Sequence, residues 1–167
     1  MELRTYPDRI LRVKCQPVRE ITDADLARAR EMLELMYCVK GVGLAGPQVG
    51  WRREVVTLDI TGERQGERIF VNPRIIRTEG EEEAEEGCLS VPGVWAPVRR
   101  AAKVLVVAYT IQGERIEQEF EGLPARAWQH EIDHLNGLLF IDRLPPIMLL
   151  TLRQKLHELE REHKGKK

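Results

Sequence analysis

The stretch Gln129-His130-Glu131-Ile132-Asp133-His134-Leu135-Asn136-Gly137 decides how the rest of the chain is arranged. Residues four apart on a helix project from one face about one turn apart, so both imidazoles reach a single metal ion while Glu131 sits beside it. Two histidines on a helix can also be two satisfied polar side chains and nothing more. The H-E-x-x-H spacing favours a metal site because it ties two ligands and a general base to one geometry. Trp128, Ile132, Leu135, Leu138 and Leu139 are apolar at near-helical spacing, which predicts a half-buried helix and a site partly shielded from water.

Outward from this helix, Gly122-Leu123-Pro124 introduces it, with proline tolerated in the first turn. Beyond it, Pro145-Pro146 opens a C-terminal helix with an apolar stripe at Ile147, Leu150, Leu152, Leu156 and Leu159, ending in a basic tip at 163–167. Upstream, Val94 to Val98, Lys103 to Thr110 and Arg115 to Phe120 read as strands, the last two joined by a hairpin turn at 111–114. Glu54 to Ile60 and Arg68 to Ile76 are two further strands. Between them and Cys88, Glu79, Glu81, Glu82, Glu83, Glu85 and Glu86 crowd together and read mostly as a solvated loop, with Glu86 set apart because it adjoins the next motif.

Thr22-Asp23 caps a first helix that runs to Lys40, with Gly41 closing it; Met32 and Met36 are core filler. The first twenty residues, with Pro7 and Pro17, read as an extended arm without helix. Gly41-Val42-Gly43-Leu44-Ala45-Gly46-Pro47-Gln48-Val49-Gly50 has too many glycines for regular structure and no phosphate-loop lysine, so it is either a structural turn or a ligand-facing loop. The fold class that follows is α+β: antiparallel sheets packed around a central metal-binding helix, with an N-terminal and a C-terminal helix, in one domain over 1–167.

With 167 residues, 43% of them hydrophobic, the chain can bury a core without disulfides. Basic and acidic residues number 26 and 27, so global charge points to no sequence-specific nucleic-acid partner. Cys15, Cys38 and Cys88 form no paired motif, which indicates a reducing compartment, the cytoplasm by default. No window approaches the ~18 apolar residues of a membrane span, and the N-terminus lacks a signal-peptide core.

A catalytic zinc-type site needs a third protein ligand and an open position. The metzincin pattern holds as far as Gly137 but ends on Phe140, which cannot ligate. A downstream glutamate, Glu158 or Glu160, is one option, although charged residues belong on the wet face of that helix in any case. Cys88, in Glu86-Gly87-Cys88-Leu89-Ser90, is the stronger one, since a thiolate binds a borderline-soft ion tightly; the bland reading of it is a buried small hydrophobe.

Together, G-V-G-L-A-G-P-Q at 41–48, E-G-C-L-S at 86–90 and Q-H-E-I-D-H-L-N-G at 129–137 resemble the peptide deformylase family, and the likeness runs from Tyr6 to Leu144. That family removes the formyl group from the N-terminal formylmethionine of nascent polypeptides with a divalent metal held by one cysteine and two histidines. The resemblance implies Cys88, His130 and His134 as ligands, Fe(II) as native metal, and zinc, nickel or cobalt as substitutes. It implies that hydroxide from metal-activated water, whose pKa falls toward ~7, attacks the formyl carbonyl while Glu131 carries the proton. It assigns the oxyanion to the Gln48 amide and the Leu89 N–H, the peptide backbone to Val42, Gly43 and Leu44, and the methionine pocket to Val42, Leu123 and Ala127.

Glu86 and Arg100 resemble a supporting ion pair of the family. Two departures stand out: Gly46, where many members have alanine, is expected to loosen the loop slightly, and Trp95 stands where some members offer an arginine to the peptide. A transient ribosome contact through Arg153, Lys155, Arg161, Lys164, Lys166 and Lys167 is a further expectation, weakened by interleaved acidic residues.

Overall fold

A computed structural model describes residues 1–66 and 68–165; Lys166 and Lys167, part of the expected basic tip, lie outside the described residues. Helix α1 (Asp23–Cys38) starts where expected, because Thr22 and Asp25 form a reciprocal capping box that satisfies two backbone donors. It ends differently. Lys40, not Gly41, takes the left-handed conformation (φ 57°), and Gly41 N–H closes the end on Met36 O at 2.8 Å. Met32 and Met36 are fully buried, as their place on the apolar face requires.

The glycine-rich segment is more regular than its composition suggests. Gly43–Ala45 forms an edge strand, β1, and Gly46–Val49 a 3-10 turn. β1 heads a five-stranded antiparallel sheet in the order β1-β2-β3-β6-β7, with β2 (Val55–Leu58), β3 (Ile69–Glu79), β6 (Lys103–Thr110) and β7 (Arg115–Glu121). β4 (Glu82–Cys88) and β5 (Val91–Arg100) make a separate two-stranded sheet.

The acidic run is therefore strand and not loop. β3 continues to Glu79, Gly80 turns the chain with φ 64°, and β4 begins at Glu82. Cross-strand pairing resolves the charge: Glu83 lies opposite Arg99 and accepts its Nε at 3.1 Å, while Glu86 turns inward to Arg100. A charge count along the sequence misses partners that a hairpin supplies sixteen residues later.

Helix α2 (Leu123–Leu135) carries the histidines and packs on the five-stranded sheet, while its Arg126 and Asp133 side chains bond to the β4–β5 sheet. Trp128 anchors it to the larger sheet, with its ring 5.0 Å from Phe70 and 5.7 Å from Phe120. The helix stops at Leu135, so Leu138 and Leu139 are not on it; Gly137 (φ 76°) turns the chain there against the Arg12 carbonyl, where a Cβ would come within 2.7 Å. Arg9–Arg12 is a short 3-10 turn, which corrects the expectation of a wholly extended arm and sends Leu11 into the core.

Helix α3 (Pro146–Gly165) buries Leu159 and packs Met148, Leu149, Leu152 and Leu156 against β5 and Phe140–Ile141. Ile147 and Leu150, expected in the stripe, are 67% and 63% exposed, because Met148 and Leu149 occupy the inward positions of the first turn. Among the described residues no helix is long and apolar enough to cross a membrane. Since Trp128 joins α2 to the sheet, Trp128→Ala should cost about 3–5 kcal/mol of folding free energy, measurable as a lowered denaturant midpoint with unchanged slope.

Candidate metal centre and active site

Three chain segments converge at α2. Its inward face presents His130 and His134, whose Nε2 atoms lie 3.2 Å apart. The end of β4 brings Cys88 Sγ to 3.2 Å from His134 Nε2, and the three donor atoms all fall within 4.8 Å of one another. Among the described residues this is the group of His, Cys, Asp and Glu side chains that could hold a metal ion. Glu158 instead meets Lys155 on the surface of α3, and Glu160 accepts the Tyr6 hydroxyl at 2.8 Å, so neither stands beside the histidines.

The donor set fits a divalent cation. His130 Nδ1–H donates to Glu86 Oε1 at 2.5 Å, which fixes the tautomer and leaves Nε2 as a lone-pair donor aimed at His134 and Cys88. His134 Nδ1 and Glu131 Oε2 are buried without a hydrogen-bond partner among the described residues. Soft sulfur with two imidazoles suits zinc, iron, nickel or cobalt and disfavours magnesium or calcium.

The electrostatics agree with that chemistry. Burial lowers the His134 pKa well below its ordinary value, with His130 and Arg100 adding to the effect, so the ring stays neutral as a ligand must. At His130 burial pulls the same way, but Cys88 and Glu86 outweigh it and raise the proton affinity. A field that holds a proton there also favours a cation. Glu86 pays a burial penalty, yet His130 and Arg100 hold its carboxyl well below the usual carboxylate range.

Burial pushes the Glu131 carboxyl up to about 7, against the pull of His130. A carboxyl near neutrality can both accept and return a proton. Its position depends on β1: a Cβ on Gly43 would stand 2.4 Å from Glu131 Oε1.

Gln48 is fully buried in the 3-10 turn after β1. Its Oε1 accepts Ala45 N–H at 2.8 Å, so the amide nitrogen must face the other way. There Nε2 donates to Ser90 Oγ at 3.1 Å and lies 3.7 Å from Cys88 Sγ. Leu89 sits in the turn between β4 and β5, next to Cys88, and lines the same cavity.

That cavity is about 480 Å³, within the range of small-molecule pockets, and Glu131, Gln48, His130 and Cys88 form its polar end. Val42, Gly43, Leu123 and Ala127 line it, and Trp95 stands at its rim, 63% exposed over Gly87. Leu44 does not: its side chain is fully buried in the core beneath α1, because alternate residues of a strand point to opposite faces.

Gly46 also differs from expectation. A Cβ there would meet the Trp51 carbonyl at 2.5 Å, so the glycine permits a tight backbone crossing and does not loosen the loop. Glu86 and Arg100 do pair, through Nε at 3.1 Å and Nη2 at 2.6 Å. Sequence reasoning missed Ser90, Asp133 and Arg126. Ser90 lies within the quoted E-G-C-L-S, and Asp133 and Arg126 are buried charges on α2, which a helical projection marks on its inward face.

A histidine pair, a thiol from a separate strand and a near-neutral carboxyl beside a substrate-sized cavity are the parts a metal-dependent hydrolase requires. The polypeptide deformylase family model matches residues 1–148. A peptide deformylase of Halothermothrix orenii is 49% identical over 144 residues, which cover 86% of this chain and 93% of that one. The crystal structure of a peptide deformylase from Legionella pneumophila superposes with a TM-score of 0.90 at 40% identity, covering 98% of this chain and 96% of that one. An inhibitor complex of a peptide deformylase from Arabidopsis thaliana reaches 0.94 at 37% identity, over 99% and 93%. The chain belongs to the polypeptide deformylase family, a family of metal-dependent enzymes that deformylate nascent peptides.

Gly43→Ala should displace the Glu131 carboxyl and lower kcat roughly 10²-fold. Steady-state assays alongside metal content and circular dichroism, both expected unchanged, check this.

Proposed function

We propose that this chain hydrolyses the formamide of N-terminal formylmethionine on nascent polypeptides, releasing formate, as one catalytic domain over 1–167 acting in the cytoplasm. The observation that carries the reading is the meeting of Glu131, the Gln48 amide, His130 and Cys88 in one mainly apolar cavity, with His134 beside them as the third ligand-type residue. Cys88, His130 and His134 would hold a divalent ion, Fe(II) by family resemblance or else zinc, nickel or cobalt, which supplies Lewis acidity and lowers the pKa of bound water toward ~7.

The chain's own groups do the rest. Val42, Leu123 and Ala127 receive the methionine side chain, while the main chain of Val42, Gly43 and Leu44 lies along the peptide; Leu44 takes part through its backbone alone. Glu131 removes a proton from the attacking water and returns it to the departing amine. Gln48 Nε2–H and Leu89 N–H donate to the oxygen as it gains charge; a donor of this kind is worth ~2.7–4 kcal/mol in barrier height. Gln48 is suited to this because its other end is committed to Ala45, so little reorganisation is needed.

A ribosome contact through α3 would meet acidic as well as basic side chains. Arg153, Lys155, Arg161 and Lys164 alternate with Glu158, Glu160 and Glu162 on α3, and Lys155 reaches Glu158 at 3.4 Å. Arg153→Glu with Arg161→Glu should therefore leave ribosome co-sedimentation unchanged; a lost association would establish the contact.

The purified protein should release formate from formyl-Met peptides. Glu131→Ala should abolish release while the metal remains bound. Loss of metal and activity together would make Glu131 structural, and cleavage of internal bonds in unformylated casein-like substrates would replace the deformylase reading with an endopeptidase.

A further inference from the structure

Arg126 lies in the first turn of α2, one turn before His130 and on the same face. It is 8% exposed and spends its donors on two strands at once. Nη1 donates to Glu86 Oε2 at 3.1 Å and to Val98 O at 2.9 Å, and Nη2 donates to Glu82 O at 3.1 Å. Glu82 and Glu86 belong to β4, Val98 to β5. One side chain thus grips both strands of the hairpin that ends in Cys88.

Charge balance does not account for it. Arg100 already meets both oxygens of Glu86, and His130 completes Oε1. Arg100 also reaches Asp133 Oδ2 in the last turn of α2 at 2.6 Å. The hairpin is therefore tied to α2 at three places, Arg126, His130 and Asp133, and among these Arg126 is the one that bonds the main chain of both strands. It is also the tie at the N-terminal end of the helix, so its loss would free that end to shift against the hairpin and change the distance from Cys88 to the imidazoles.

We propose that Arg126 is a positioning residue for the metal site, holding the Cys88 hairpin at ligating distance from α2 through Glu86 and the Glu82 and Val98 carbonyls. The planar guanidinium matters, since its fixed fork serves three acceptors that a single ammonium on a flexible stem does not match. The proposal rests on Cys88, His130 and His134 holding a divalent ion, and it is independent of the substrate.

The test is made on cobalt(II)-loaded full-length protein, read by the thiolate-to-cobalt charge-transfer band and by the rate of cobalt loss to a chelator. Arg126→Met should shift or weaken the band and speed metal loss roughly 10- to 100-fold. Arg126→Lys should fall between it and the parent. Arg99→Met, which removes an exposed ion pair from the same hairpin without touching α2, should change neither. A parent-like band and loss rate in Arg126→Met overturn the proposal, whatever its melting temperature. Should that variant not fold, parent-like values in Arg126→Lys and Arg126→Gln overturn it instead. No formylated substrate enters the measurement, so a protein that shows these metal effects but releases no formate would overturn the proposed function alone. A parent that binds no cobalt(II) overturns both.

Discussion

The structure depends on one buried carboxylate, Glu86. Taking a charge out of water costs several kcal/mol unless it is paired and hydrogen-bonded, and Glu86 meets that demand with Arg100, Arg126 and His130. Arg100 comes from β5, while Arg126 and His130 come from α2, so satisfying the charge also docks the β4–β5 hairpin onto α2. The docking carries Cys88 to the histidines. Asp133 extends the network to Arg143 at 2.5 Å, which links the end of α2 to the segment leading into α3.

The second constraint is close approach. β1 runs so close to the Glu131 side chain that a Cβ at Gly43 would displace its carboxyl, and the next segment crosses Trp51 closely enough to require Gly46. These contacts set where Glu131 and Gln48 can stand. Edge-strand geometry then turns Leu44 into the core and leaves Gly43 toward the cavity, which Val42, just before the strand, also lines. The placement of Glu131 and Gln48 follows from close backbone approach at Gly43 and Gly46 as much as from side-chain choice.

Much of the fold was legible because its signals are local. The Thr22–Asp25 capping box, the Lys103–Thr110 strand and the proline-led α2 and α3 each depend on neighbours within a few residues. The misreadings share one cause. The run from Glu79 to Glu86 reads as a solvated loop by charge density, yet it is strand because Arg99 and Arg100 sit opposite it. Ile147 and Leu150 fit a helical stripe, but the surface that α3 meets selects Met148 and Leu149.

For the site, the spacing of His130, Glu131 and His134 was determined by the sequence alone, since the pitch of a helix places them without help from the rest of the chain. Which residue joins them was not. Cys88, Glu158 and Glu160 were all chemically eligible, and only the tertiary structure decided that the thiol stands beside the rings while the glutamates meet Lys155 and Tyr6. Arg126 and Asp133 went unnoticed because a buried charge declares its purpose through partners up to 44 residues away. Those partners are chosen by the cost of leaving a charge unpaired in a dry interior, and that cost exists only once the chain has folded.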